Sequence, residues 1–146
     1  MTSPNLERLA RSGELKAERM SRPEFMALVG RGSRLLADAR NAELSLESRF
    51  SLVYGASHSL ASAALRWHGF RSENRYLVFQ CLEHSAGFTP AQWGVLSICH
   101  DRRNKAEYAG AMDVEERLVD EAIEIVQVLL DRVSGLDPPG EGKQDS

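Results

Sequence analysis

Trp93-Gly94-Val95-Leu96-Ser97-Ile98-Cys99 runs into His100-Asp101-Arg102-Arg103-Asn104-Lys105-Ala106-Glu107-Tyr108, and the reading of this stretch decides the fold. An apolar half meets a dense polar half with no proline between them. Nothing interrupts the backbone ladder, so both halves read as one helix. On that helix His100, Arg103, Asn104, Glu107 and Tyr108 fall at i, i+3, i+4, i+7 and i+8 and share a face. Val95, Cys99, Ala106 and Ala109 take the opposite face, with the stem of Arg102 between the two. The polar stripe has two readings. One is a solvated face with local ion pairs, which contribute little. The other is a nucleic-acid or nucleotide site.

Working outward, the flanking segments are helical too. Thr89-Pro90 caps the helix that holds this stretch, and Gly110 lies near its end. Before it, a helix over about 73–85 is apolar at Tyr76, Leu77, Phe79, Cys81 and Leu82, with Ser72 as its cap and Gly87 as its stop. A longer helix from about Leu46 to Trp67 starts at the Ser45 cap and ends at Gly69. Its inner face is Phe50, Val53, Tyr54, Leu60, Ala61, Ala64 and Trp67, and the row Gly55, Ser59, Ala63 lets a second backbone come close. Ser21-Arg22-Pro23-Glu24 opens another helix, apolar at Phe25, Leu28, Val29, Leu35, Leu36 and Ala39. Its Gly30-Arg31-Gly32-Ser33 tetrad lacks the strand before it and the Lys-Ser/Thr after it that a phosphate loop needs, so close helix approach or a kink is the reading. Ser3-Pro4 begins a short helix that Ser12-Gly13 stops, and residues 14–21 read as a linker or loose turn. Downstream, Asp113 caps a helix whose apolar residues, Val114 to Val133, cover more than one face; it is buried on two sides or sits at a partner interface.

No segment alternates with period two over a strand's length, and no hairpin turn appears. The expected fold is all-α: an antiparallel up-down bundle of about four to five main helices plus a short N-terminal helix. Residues 1–21 form the N-terminal helix and linker, 22–135 the bundle, and 136–146 a polar, proline-bearing tail read as disordered.

Composition narrows function more by exclusion. The chain has 146 residues and a net charge of −3, so nucleic-acid binding would need a local basic patch. No apolar run approaches the ~20 residues needed to span a bilayer, and no signal peptide is visible. A cytoplasmic protein is expected, with Cys81 and Cys99 as buried free thiols. No histidine pair has metal-ligand spacing and no nucleophile elbow occurs, so neither a metal nor a cofactor is expected. Among the histidines, His58 reads as a packed, hydrogen-bonded core residue. His68 ends the long helix, where the dipole favours its charged form, and His84 is likewise near a helix end. His100 alone is on the polar stripe. Two basic clusters stand out: Arg66, Arg71 and Arg75 beside Trp67, His68 and Phe70, and Arg102, Arg103 and Lys105 on the helix that carries the stripe. Arginines beside aromatics suit a phosphate and an unstacked base; ordinary surface arginines are the alternative.

Arg103-Asn104-Lys105-Ala106-Glu107-Tyr108, late in an all-α domain and followed by a long apolar helix, resembles the HEPN superfamily. Its signature is an arginine, a polar residue, then a few residues and a histidine. The earlier step Leu52-Val53-Tyr54-Gly55-Ala56 is similar to one in its bacterial branch, whose motif often reads Arg-x-x-Ala-Asp-Tyr. The resemblance spans roughly residues 22–134. It implies a homodimer with both arginine motifs facing a shared cleft. It also implies one of several activities: a metal-independent ribonuclease toxin, a partner of a small nucleotidyltransferase or antitoxin in a toxin–antitoxin pair, or an inactive RNA- or nucleotide-binding module. Here Tyr108 stands where the histidine would be. A phenol with pKa about 10 moves a proton poorly at neutral pH, whereas an imidazole near 6.5 does it well. The expectation is therefore a non-catalytic module binding RNA, a nucleotide or a protein partner through Arg102, Arg103, Asn104, Lys105 and Tyr54. The alternatives are a ribonuclease using Arg103 and Asn104 with His100 or Tyr108, and a structural homodimer without ligand.

Overall fold

The computed structural model describes residues 4–109, with side chains through Ala106, and residues 114–136. In order the elements are α1 (Pro4–Arg11), β1 (Lys16–Ala17), α2 (Arg22–Ala39), α3 (Leu46–Trp67), β2 (Phe70–Arg71), α4 (Arg75–Gln80), α5 (Leu82–Ser85), α6 (Pro90–Ala109) and α7 (Glu116–Ser134). This is an all-α bundle, and among the described residues its β structure is one pair of two-residue strands. No helix among the described residues is long and apolar enough to cross a membrane.

Short polar side chains set where the helices begin. Ser21 Oγ accepts the Glu24 N–H at 3.3 Å, and Ser45 Oγ accepts that of Ser48 at 3.1 Å. Thr89 and Gln92 cap reciprocally: Thr89 Oγ1 accepts from the Gln92 N–H at 3.2 Å while Gln92 Oε1 accepts from the Thr89 N–H at 2.9 Å. Each satisfies a donor that the first helical turn leaves over. Gly69 ends α3 with φ at +89°, a conformation a side chain would strain.

Contacts between α2 and α3 run in opposite order along the two chains. Arg49 Nε donates to Ala39 O, Ser59 Oγ to Leu28 O, and Arg66 Nε to Glu24. The pair is therefore antiparallel, as the short loop between them favours. Arg49 also reaches Asp120 at the start of α7, and the end of α3 shares a hollow with Arg132 and Val133. Thus α3 and α7 run the same way, as alternate members of an up-down bundle do. α3 sits at the centre, burying Phe50, Val53, Ala56, Leu60, Ala61, Ala64 and Leu65. Phe25 and Leu36 of α2, Phe79 of α4, Leu96 of α6 and Val126 and Leu129 of α7 complete the core. Each large side chain so buried contributes roughly 1.5–3 kcal/mol. The two cysteines are free and buried, and burial raises their thiols to about 11 for Cys81 and about 12 for Cys99.

Several expectations are corrected. Residues 14–21 are not a loose connection: Lys16 and Ala17 pair antiparallel with Arg71 and Phe70, and Leu15 and Met20 are buried. The helix expected over 73–85 is two helices, interrupted at Cys81. On a straight helix Phe79 and Cys81 would face about 200° apart, yet Val78, Phe79, Cys81 and Leu82 are all buried. Its cap is Asn74, whose side chain accepts from the Leu77 N–H, while Ser72 Oγ accepts from the Asn74 N–H. α7 begins at Glu116, after Val114, with Glu115 at the cap position. Asp113, Ser3, Gly110 and all of the 136–146 tail beyond Leu136 lie outside the described residues. His68 is not held in its charged form. Burial outweighs other influences and lowers its pKa, while its Nε2 donates to Ser85 O.

The N-terminal strand is locked by ions. Arg71 donates to Glu18 at 2.8 Å and to Glu24 at 2.6 Å, and Arg66, 3% exposed, donates to Glu24 at 2.9 Å. Hydrogen bonding from Arg71 holds the Glu18 carboxyl below its usual range. For Glu24, burial alone would raise the pKa, but hydrogen bonds from Arg71 and Arg66 outweigh it and the net shift is downward. A depressed folded pKa means stability that is present above the unfolded value of about 4.5 and lost as pH falls through the folded one. Urea midpoints measured from pH 6 to pH 2.5 should fall in that window. In Glu18→Gln/Glu24→Gln the fall should be shallower; an unchanged slope would remove these two carboxylates from the account.

Candidate functional site: a cationic cleft over Tyr54

Four helices contribute to one cleft of about 490 Å³. α2 supplies Arg31, α3 supplies Tyr54, Gly55 and His58, α4 supplies Arg75, and α6 supplies Arg103 and Ala106. Tyr54 is the floor. The residue is 4% exposed, and the guanidinium carbons of Arg103 and Arg75 lie 5.1 and 5.8 Å from its ring centroid. The electron-rich face of the phenol holds both cations at cation–π distance. Among the described residues no carboxylate lines this cleft and none pairs with Arg31 or Arg75.

Behind the floor, His100 is fixed at both nitrogens. Nδ1 is 3.0 Å from Tyr54 Oη, and Nε2 is 3.1 Å from Asn104 Nδ2. The Asn104 amide nitrogen can only donate, so Nε2 accepts; Nδ1 then carries the hydrogen and donates to the Tyr54 oxygen. This arrangement requires a neutral ring. Burial, then the charges of Arg103 and Arg75, lowers the His100 pKa in agreement. Neither nitrogen has a lone pair left for a substrate, so the expectation that His100 substitutes as a base is not met by this geometry.

His58 departs furthest from its expectation. It is not a hydrogen-bonded core histidine. It lines the cleft with neither nitrogen hydrogen-bonded to a described residue, and touches Phe79 edge-on at 6.2 Å between centroids. Burial pushes its pKa down to about 4, helped by the charges of Arg75, Arg31, Arg103 and His100 around it. It is therefore a neutral imidazole among cations. An anion bound beside it would reverse that balance. The His58 NMR titration should have its midpoint near 4 in the free protein and move upward on adding phosphate; an unmoved midpoint would place the anion elsewhere.

Of the residues expected to bind, Tyr54 and Arg103 meet in the cleft. Asn104 acts behind it through His100. Arg102 lies 3.7 Å from Glu115 and Lys105 lies 3.1 Å from Asp101, both outside the cleft. Ala106, assigned to the opposite face, lines the cleft one turn past Arg103. The Tyr108 side chain lies outside the described residues. The other basic cluster divides. Arg66 and Arg71 are bound to Glu18 and Glu24, while Arg75 joins Arg103 over Tyr54. Sequence reasoning missed Arg31 and His58. The available signal was the i, i+4 spacing of Tyr54 and His58, which puts them on one face. Among the described residues no group of three or more histidine, cysteine or acidic side chains could hold a metal ion. Comparison with known proteins finds no matching family, no matching characterised protein and no matching solved structure.

Proposed function

We propose that this chain is a non-catalytic HEPN-like module that binds a phosphate-bearing ligand, RNA or a nucleotide, in the cleft over Tyr54. The observation that carries the reading is the convergence of Arg31, Arg75 and Arg103 from three helices on one cleft with no carboxylate in its described lining. Guanidinium groups match phosphate oxygens in geometry as well as charge. The chain as a whole is acidic, so this focus of positive charge is local. The ordered resemblance from Tyr54 to the Arg103–Tyr108 motif supports the same reading. Homodimer formation and an antitoxin or nucleotidyltransferase partner are proposed with it on the resemblance alone.

The test is fluorescence anisotropy with a labelled single-stranded RNA at several salt concentrations. Arg103→Ala and Arg75→Ala should each weaken binding roughly tenfold, about 1.4 kcal/mol, and reduce the salt slope by about one. Binding that is unchanged in both variants would sink the reading.

A second reading is favoured by one observation. His58 presents an unengaged imidazole to the same space as Arg103. In a metal-independent ribonuclease it would take the proton from a 2′-hydroxyl as that oxygen attacks the adjacent phosphorus, then return the proton to the departing 5′-oxygen, while Arg103 balanced the charge on the phosphorus oxygens. A pKa of about 4 makes it a weak base until an anion binds. RNA cleavage in chelator that disappears in His58→Ala would replace the first reading with this one; intact RNA at high protein concentration would dismiss it.

A further inference from the structure

The cleft does not end at His58. That residue and Arg75 also line a second chamber of about 370 Å³ that continues between α3 and α4. The two chambers differ in balance. The first exposes more polar than apolar surface, around Arg31, Arg75 and Arg103. The second exposes more apolar than polar surface, from Leu28, Leu65, Phe70 and Val78; besides Ser62 and Glu73 it is lined by Ser72 and by the Arg66–Glu24–Arg71 ion network. Ser62 and Glu73 have no side-chain hydrogen bond or ion pair with a described residue, and Glu73 is exposed. The carboxylate of Glu24, also in the lining, is already bound by Arg66 and Arg71. A surface more apolar than polar, with hydrogen-bonding groups at its edges and in this size range, suits a flat organic group.

We infer that the phosphate taken by the cleft is a terminal one, and that the nucleoside attached to it lies past His58 in the apolar chamber; this rests on the phosphate-binding reading above. Charge matching favours an end over a chain interior. An internal phosphodiester carries one negative charge. A terminal phosphomonoester carries about 1.5 to 2 at neutral pH, with its second pKa near 6. Arg31 and Arg75, which no described carboxylate neutralises, together with Arg103 complement the larger charge better. The groups facing His58 are Arg31 from α2, Arg75 from α4, and Arg103 and His100 from α6. Burial is the main cause that keeps the imidazole neutral and the cations add to it; a dianion among them offsets the cations and moves the ring toward taking up a proton and donating it to the bound phosphate. On the other side, the Glu73 carboxylate and the Ser62 hydroxyl can accept from an exocyclic amino group of a base. The juxtaposition of an anion cradle and an apolar chamber across one histidine is what sets a nucleotide end apart from a bare anion.

The experiment uses the full chain and calorimetric titration with four probes: inorganic phosphate, adenosine 5′-monophosphate, and one short oligoribonucleotide with either a 5′-phosphate or a 5′-hydroxyl. The 5′-phosphorylated oligonucleotide should bind at least about tenfold more tightly than its hydroxyl form. Ser62→Phe, which fills the chamber, should weaken adenosine monophosphate about tenfold and leave inorganic phosphate unchanged. Glu73→Ala, at an exposed position that costs no packing, should weaken the nucleotide severalfold and not inorganic phosphate; it keeps the test open if Ser62→Phe fails to fold. Equal binding of the two oligonucleotides, lost in Arg103→Ala, would overturn the terminal-phosphate inference and leave the phosphate-binding reading in place. A nucleotide no tighter than inorganic phosphate, and indifferent to both variants, would overturn the chamber's role. No binding of any probe would overturn the functional reading and this inference together.

Discussion

Arg66→Ala is expected to melt roughly 10 °C below the wild type, a loss of about 3–5 kcal/mol. Arg66 is 3% exposed and lines the second chamber beside His58. Its Nε donates to Glu24, one terminal nitrogen donates to the carbonyls of Glu18 and Phe70, and the other donates to the carbonyl of Arg19. These bonds tie the segment before α2 to the end of α3, where β1 and β2 pair. Truncation leaves the Glu24 carboxylate short of a partner and three carbonyls without their donor. The cost is that of unpaired polar groups more than of a lost attraction. Arg66→Lys keeps the charge but cannot reach all four acceptors with one ammonium, so it should fall between. Thermal and urea denaturation decide the matter; an Arg66→Ala midpoint within about 1 kcal/mol of the wild type would mean the network contributes nothing net. The same network walls the apolar chamber, so weaker nucleotide binding in a folded Arg66→Lys would follow from the chamber's shape.

Gly32→Val should lose about 3 kcal/mol, at the upper end of overpacking. A Cβ at residue 32 would sit 2.4 Å from Leu60 Cγ and 2.6 Å from its Cδ2, and Leu60 is fully buried in α3. Either Leu60 leaves its rotamer or α2 backs away from α3. Because Arg31 precedes Gly32, the second response would also shift one wall of the cationic cleft. Gly30→Ala is the contrasting change. Its Cβ would meet only Arg34 Nη1 at 3.3 Å, the free end of a flexible side chain. Replacing glycine inside a helix gains up to about 1 kcal/mol, so Gly30→Ala should be neutral or stabilising. Urea denaturation of the two variants tests the pair, and equal stabilities would mean that the α2–α3 contact is looser than the structure has it.

These two glycines mark the boundary between what was legible in the chain and what was not. The sequence by itself placed the starts of α2, α3 and α6 and the stops of α3 and α5: Ser21, Ser45 and Thr89 cap where such residues cap, and Gly69 and Gly87 stop. It also determined the all-α class, because helical periodicity and caps are local properties. It placed Arg103 and Asn104 on one face of α6 for the same reason. It could not tell Gly30 from Gly32, since their difference is the presence of Leu60 from another helix. Nor could it divide the arginines. Arg66, Arg71 and Arg75 are close in the chain, yet Glu18 and Glu24 hold the first two and Tyr54 faces the third. His58 reads as core on its own helix and becomes part of the cleft only because Arg31, Arg75 and Arg103 arrive from three other helices. The tertiary structure alone decided the site, because charge and burial at a side chain depend on everything within a few ångströms of it, and most of that comes from distant parts of the chain.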